Sequence, residues 1–153
     1  MITGISHINL LVPPGTLNDA YTFYVDTLGL TAAPVPQLQK ETTAWFNITP
    51  DGKQQIHIAF GQNEPDSPRH PCLRVGSLDD LQKLQQRIYD HHLRGGSAAP
   101  LQADPPGDCS GEDQPVRVGE AITDHKNVGE KGVEYPTRFF ARDYAGNRLE
   151  FSL

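Results

Sequence analysis

At 153 residues, with 37% hydrophobic side chains, the chain has material for one domain with a real core and too little for two. A formal net charge of -6, with no clustering of Lys and Arg, excludes nucleic acid and anionic membranes as expected partners and leaves a small molecule as the expected ligand. No apolar run approaches the roughly 20 residues that cross a bilayer, and MITGISHINLLV has no basic n-region, so a cytoplasmic location is expected.

In chain order, GISHINLLV alternates as a strand does. Pro13-Pro14-Gly15 breaks it, and TLNDAYTFYVDTLGL follows with Leu17, Ala20, Tyr21, Tyr24, Val25 and Leu28 at helical spacing and Gly29 as the stop. A short extended piece to Pro36, the strand TTAWFNI, a turn at Asp51-Gly52 and the strand KQQIHIAF complete a first module at about residues 1–62.

The Pro-rich NEPDSPRHP leads to a second module, about 69–153, within a single domain 1–153. It begins with the strand HPCLRVGS and the helix SLDDLQKLQQRIYDHHLRGG. That helix has a capping pair Ser77 and Asp80, an apolar face of Leu78, Leu81, Leu84, Gln85, Ile88 and Leu93, and a stop at Gly95-Gly96. His91 and His92 at its end are expected to be solvent-exposed. TRFFARDYAGNRLEFSL closes the chain as two strands around a turn at Ala145-Gly146-Asn147.

The stretch from Leu101 to about Tyr135 is polar and rich in Gly, Pro and acids, far longer than the usual connection of about 4–6 residues. It is expected to be an insertion forming a mobile surface loop, with a lid over a ligand site as the alternative. Cys72 and Cys109 have neither a disulfide framework nor zinc-finger spacing and are expected to be free thiols.

Successive side chains in a strand face opposite sides, so each strand can be sorted by parity. Ile8, Leu10 and Val12 leave His7 and Asn9 opposite; Ile56, Ile58 and Phe60 leave Gln55 and His57. Leu73 and Val75 leave His70, Cys72 and Arg74; Leu149, Phe151 and Leu153 leave Arg148, Glu150 and Ser152. Three imidazoles and a carboxylate converging on the polar face of a sheet would make a shell for one divalent ion of Zn, Ni, Co, Mn or Fe. Singly, each histidine is more often a surface or hydrogen-bonded residue, and parity does not establish convergence. Asn9, Trp45, Gln55, Arg74 and Arg138 are the candidate substrate-binding residues around such a shell, Arg138 as a fork for a substrate carboxylate. Arg138 and Tyr135 lie where the insertion returns to the sheet, and His125 falls in the insertion without a role.

The motifs GISHINLLV, AYTFYVDTLGL, QQIHIAF, HPCLRV and RFFARDYAGNRLEF, in this order, resemble the vicinal-oxygen-chelate superfamily, which includes glyoxalases, bleomycin resistance proteins and dioxygenases. The most specific pieces are FY-x-x-x-LGL at Phe23–Leu30 and D-x-x-GN-x-x-EF at Asp143–Phe151, and only the insertion lies outside the match. The resemblance implies an α+β fold of two βαβββ modules forming a cup-shaped mixed sheet. It also implies metal ligands at His7, His57, His70 and Glu150.

Glyoxalase-like relatives carry a glutamate at the position of His57, so methylglyoxal chemistry is not expected here. The function implied is metal-stabilised enolate and proton-transfer chemistry, hence an isomerase, epimerase or lyase, with Glu150 and His57 as catalytic groups. If His57 is a base rather than a ligand, His7, His70 and Glu150 form the two-His-one-carboxylate set of an extradiol Fe(II) dioxygenase. A metal-free drug-binding protein is the non-enzymatic alternative, thiol transfer to fosfomycin lacks a recognisable potassium or phosphonate motif, and the resemblance implies a homodimer.

Overall fold

Alternation of buried and open side chains organises the first module. In the computed structural model, which describes residues 1–108 and 137–153, β1 (His7–Val12) buries Val12 completely and exposes His7 and Asn9. Helix α1 (Leu17–Tyr21) runs into a wide π-helical turn, Thr22–Thr27, in which the Leu28 N–H donates to Phe23 O at 2.9 Å. The added residue per turn rotates the chain so that Phe23 and Tyr24 are both fully buried. Tyr21, expected on the apolar face, is left exposed at its edge, against Phe46. Gly29, at φ +81°, stops the helix in a conformation that side chains rarely adopt.

Strands β2 (Thr31–Ala33), β3 (Thr43–Asn47) and β4 (Gln55–Phe60) complete the sheet in the order β1-β4-β3-β2, with β1 parallel to β4 and the other pairs antiparallel. The second module repeats the plan. Strands β5 (Cys72–Arg74), β6 (Gln102–Ala103), β7 (Arg138–Arg142) and β8 (Arg148–Ser152) form a second sheet in the order β5-β8-β7-β6, with β5 parallel to β8. Strand β6 falls inside the stretch expected to be an unstructured insertion from Leu101, because its backbone pairs with Arg142 and Ala141 of β7. Residues 109–136, with Cys109, His125 and Tyr135, lie outside the described residues.

Helix α2 (Leu78–Arg94) starts as the sequence indicates: Ser77 Oγ accepts from the Asp80 N–H at 3.1 Å and donates to Asp80 Oδ2 at 2.6 Å. Its buried stripe runs Leu81, Gln85, Ile88 and His91. Leu78 and Leu93, expected on that face, are exposed, and both lie in the end turns of the helix. His91, expected in solvent, is buried, since it follows Ile88 by three residues and meets the π turn with Nδ1 2.7 Å from Thr27 Oγ1. His92 is half-buried, its Nδ1 donating to Pro100 O at 2.8 Å.

One core serves both modules: Val12, Phe46 and Ile56 belong to the same cluster as Ile88, Leu149 and Phe151. Asp143, fully buried, pins the seam. It accepts from Tyr24 Oη at 2.7 Å, Asn147 Nδ2 at 3.0 Å and the N–H groups of Ala145 and Asn147 at 2.9 and 2.8 Å. Asn147 Nδ2 also donates to Leu11 O at 3.0 Å, tying the β7–β8 turn to β1. Among the described residues no helix is long and apolar enough to cross a membrane.

Candidate metal centre

The helices and core occupy one face of each sheet, and the other face carries the polar residues that parity selects. On the first sheet three rings stack across adjacent strands: Trp45 lies 4.3 Å from His57 at an interplanar angle of 3°, and His57 lies 4.2 Å from His7 at 10°. Strand register produces the Trp45–His57 contact directly, since those two residues are paired between β3 and β4. Gln55 Nε2 donates to Asn47 Oδ1 at 2.7 Å, which leaves Gln55 Oε1 to accept from His57 Nε2 at 2.9 Å. Nε2 of His57 therefore carries its proton. Burial, then the neighbouring His7, lowers the His57 pKa from its ordinary value, so the ring is neutral near pH 7.

An ion bound to imidazole lies in the plane of that ring. Two nearly parallel planes about 4 Å apart share no nearby point, so His7 and His57 do not ligate one ion in this arrangement. Asn9, opposite His57 in the β1–β4 register, is exposed beside them.

The second sheet holds the other two predicted ligands. His70 precedes β5 instead of lying within it, and its Nδ1 faces Pro68 O at 2.8 Å. A carbonyl only accepts, so Nδ1 is protonated and Nε2 is the outward nitrogen, 3.1 Å from Glu150 Oε2. Glu150, on β8, is buried, and Arg138 NH1 donates to its Oε1 at 3.1 Å. The Arg138 guanidinium, expected to grip a substrate, thus braces Glu150. Phe140, opposite Glu150 in the β7–β8 register, forms a floor that His70 meets edge-on at 5.4 Å and over which the guanidinium carbons of Arg138 and Arg148 lie at 5.4 and 4.4 Å. Cys72 is a free, exposed thiol with Sγ 3.3 Å from Ser152 Oγ, and Arg74 is exposed on the same strand.

The structure therefore brings the four predicted ligands together as two pairs, His7 with His57 and His70 with Glu150. Among the described residues no group of three or more His, Cys, Asp or Glu is gathered as for one ion. A cleft of about 1210 Å3 is lined by His7, Asn9 and Gln55 from the first module and by His70, Cys72 and Arg74 from the second. It is flanked by β1 and β5, each the terminal strand of its sheet. The donor set of His7, His70 and Glu150 suits a borderline divalent ion, since neutral imidazole nitrogens combine with a carboxylate that offsets charge. Sequence reasoning assigned no role to Arg148 or Phe140. Arg148 shares parity with Glu150 and was visible in that pattern; Phe140 depends on strand register, which composition does not specify.

The Glyoxalase/Bleomycin resistance protein/Dioxygenase superfamily model matches residues 4–151, and the chain belongs to that superfamily. Among solved structures, a protein assigned to the glyoxalase family from Bacillus anthracis is 26% identical, with 99% of this chain and 94% of that chain covered and a TM-score of 0.62. A point mutant of the fosfomycin resistance protein FosX from Listeria monocytogenes, complexed with Mn(II) and 1S,2S-dihydroxypropylphosphonic acid, is 15% identical. Its match covers 99% of this chain and 93% of that one at a TM-score of 0.58, a likeness of fold. No protein of curated function matches the chain.

Proposed function

We propose that this chain is a metal-dependent enzyme of the superfamily, using His7, His70 and Glu150 to hold one divalent ion and acting on a small oxygenated molecule by proton transfer. The observation that carries the reading is the His70–Glu150 pair. With Nδ1 donating to Pro68 O, Nε2 is the His70 nitrogen that faces the buried Glu150 carboxylate, and a cation between them would meet an imidazole lone pair and a carboxylate oxygen. Bound there, the ion would supply Lewis-acid stabilisation of negative charge developing on substrate oxygens. Arg138 keeps Glu150 oriented, and Phe140 stands opposite it in the β7–β8 register.

His57 acts as the proton acceptor in this reading. Its Nε2 is committed to Gln55, its ring is fixed between His7 and Trp45, and Nδ1 retains a lone pair on a ring that stays neutral near pH 7. That chemistry fits an isomerase, epimerase or lyase. Removing His57 from the ligand set leaves two histidines and one carboxylate, which also favours a second reading, oxygen chemistry on Fe(II).

A homodimer completes the site in this proposal, with β1 of one copy beside β5 and β8 of another. The open edges of β1 and β5 and the separation of the two ligand pairs support it. Mixing His7→Ala with Glu150→Ala tests both parts. Exchange of subunits should restore metal binding to a fraction of chains, because each variant supplies what the other lacks. If neither variant binds metal and their mixture also binds none while native protein does, the site lies within one chain.

A further inference from the structure

Strand register sets Asn47, the last residue of β3, beside the amide that orients His57. The turn from β3 to β4 is closed by the Ile48 N–H donating to Gln54 O at 2.8 Å. Within it Asp51 Oδ1 accepts from Thr49 Oγ1 at 2.6 Å and from the Lys53 N–H at 3.1 Å, and Gly52 takes a φ of +67° that suits glycine. This pinned turn pairs Asn47 with Gln55 and Trp45 with His57. Alternation then puts all four on one face, half-buried, opposite the buried Ala44, Phe46, Ile56 and Ile58.

A primary amide offers an acceptor on one side and a donor on the other, so its direction decides what it shows a neighbour. Gln55 Nε2 donates to Asn47 Oδ1 at 2.7 Å, which turns Gln55 Oε1 toward His57 Nε2 at 2.9 Å. Were Gln55 reversed, its NH2 would require a lone pair on Nε2, and the single proton of the neutral ring would sit on Nδ1. Stacking between Trp45 and His7 fixes the plane of the His57 ring without choosing between these tautomers. The choice is made at Gln55, and Asn47 supplies the acceptor that makes it.

We propose that Asn47 is a positioning residue: acting through Gln55, it holds the His57 proton on Nε2 and so reserves the Nδ1 lone pair for the proton a substrate gives up. The use of Nδ1 rests on the proposed function, whereas the tautomer rests on hydrogen-bond geometry alone. Asn47→Asp is the discriminating substitution, because a carboxylate only accepts and must hold Gln55 in the same direction as Asn47 does.

The test is imidazole nitrogen NMR of the full-length protein at about pH 8, where histidines are neutral, after dialysis against a chelator so that no paramagnetic ion broadens the signals. The His57 signals are identified by their loss in His57→Gln. Native protein and Asn47→Asp are expected to carry the proton on Nε2. Asn47→Leu and, as a variant without added bulk, Asn47→Ala are expected to shift the tautomer ratio toward Nδ1 by about fivefold, the worth of one hydrogen bond of ordinary net strength. A merely structural role would lower the denaturation midpoint of these variants and leave the ratio alone. A native ratio in the folded Asn47→Leu or Asn47→Ala, or a native His57 protonated on Nδ1, overturns the proposal. So does an Asn47→Asp ratio equal to that of Asn47→Leu. None of these signals needs bound metal or turnover, so a failure of the proposed function, read by titration with Mn(II) alone, is distinguishable from a failure here.

Discussion

His70 Nε2 lies 3.1 Å from Glu150 Oε2 while Arg138 NH1 lies 3.1 Å from the other carboxylate oxygen of the same residue. The carboxylate is therefore clamped from two sides in a buried place, and the two partners do different work. His70 comes from the segment before β5 and is a proposed ligand; Arg138 comes from β7 and positions the acid.

Removing Arg138 should accordingly affect both stability and metal binding. Arg138→Met leaves Glu150 buried without its cation, and a loss of about 3 kcal/mol is expected in urea denaturation, as for other broken buried pairs. Weaker binding of Mn(II) in the variant, with folding verified, is expected as well. An unchanged affinity would show that Glu150 does not depend on Arg138 for its orientation.

Asp143 offers a second prediction, on the fold rather than the site. Burial raises its pKa while bonds from Asn147, Tyr24 and the Ala145 backbone oppose that shift. Asp143→Ala would leave the Tyr24 hydroxyl and two backbone N–H groups without their acceptor, at about 1–3 kcal/mol for each group left unsatisfied. Asp143→Asn keeps an acceptor oxygen and should cost less. Denaturation midpoints of the two variants should fall in that order, and equal midpoints would contradict the account.

His91 gives a dependence on pH. Burial, and then Arg94, lowers its pKa from the ordinary 6.5, so between the folded value and 6.5 the unfolded chain binds a proton that the folded chain refuses. Stability is then fully present above pH 6.5 and declines as pH falls toward the folded value, with His57 shifted in the same direction. Denaturation midpoints should drop between about pH 7.5 and about pH 5.5, and His91→Gln should flatten that slope. A slope unchanged in the variant would assign the dependence elsewhere.

Much of this arrangement was legible in residue order because side-chain parity in a strand is a local property. Alternation put His7, Asn9, Gln55, His57 and Arg74 opposite the apolar residues of their strands, and the structure leaves them exposed or half-buried, whereas Glu150, sorted the same way, is buried. Pairing was not legible: the stack of Trp45, His57 and His7 arises from register, a relation between strands distant in sequence. Nor was the π turn, which widens the helix by one residue and draws Phe23 and Thr27 inside. His91 was misjudged for a related reason, since its position on the helix stripe mattered more than its polarity.

The central claim is that His7, His70 and Glu150, without His57, hold a divalent ion. Elemental analysis of purified native protein beside folded His7→Ala, His70→Ala, Glu150→Gln and His57→Ala tests it most directly. The account predicts about one ion per chain in the native protein and in His57→Ala, and loss from the other three. Iron as the bound ion would favour oxygen chemistry over proton transfer. Loss of metal from His57→Ala as complete as from His7→Ala would contradict the ligand set, and no metal in native protein after reconstitution with Mn, Fe, Co, Ni and Zn would contradict the enzyme itself.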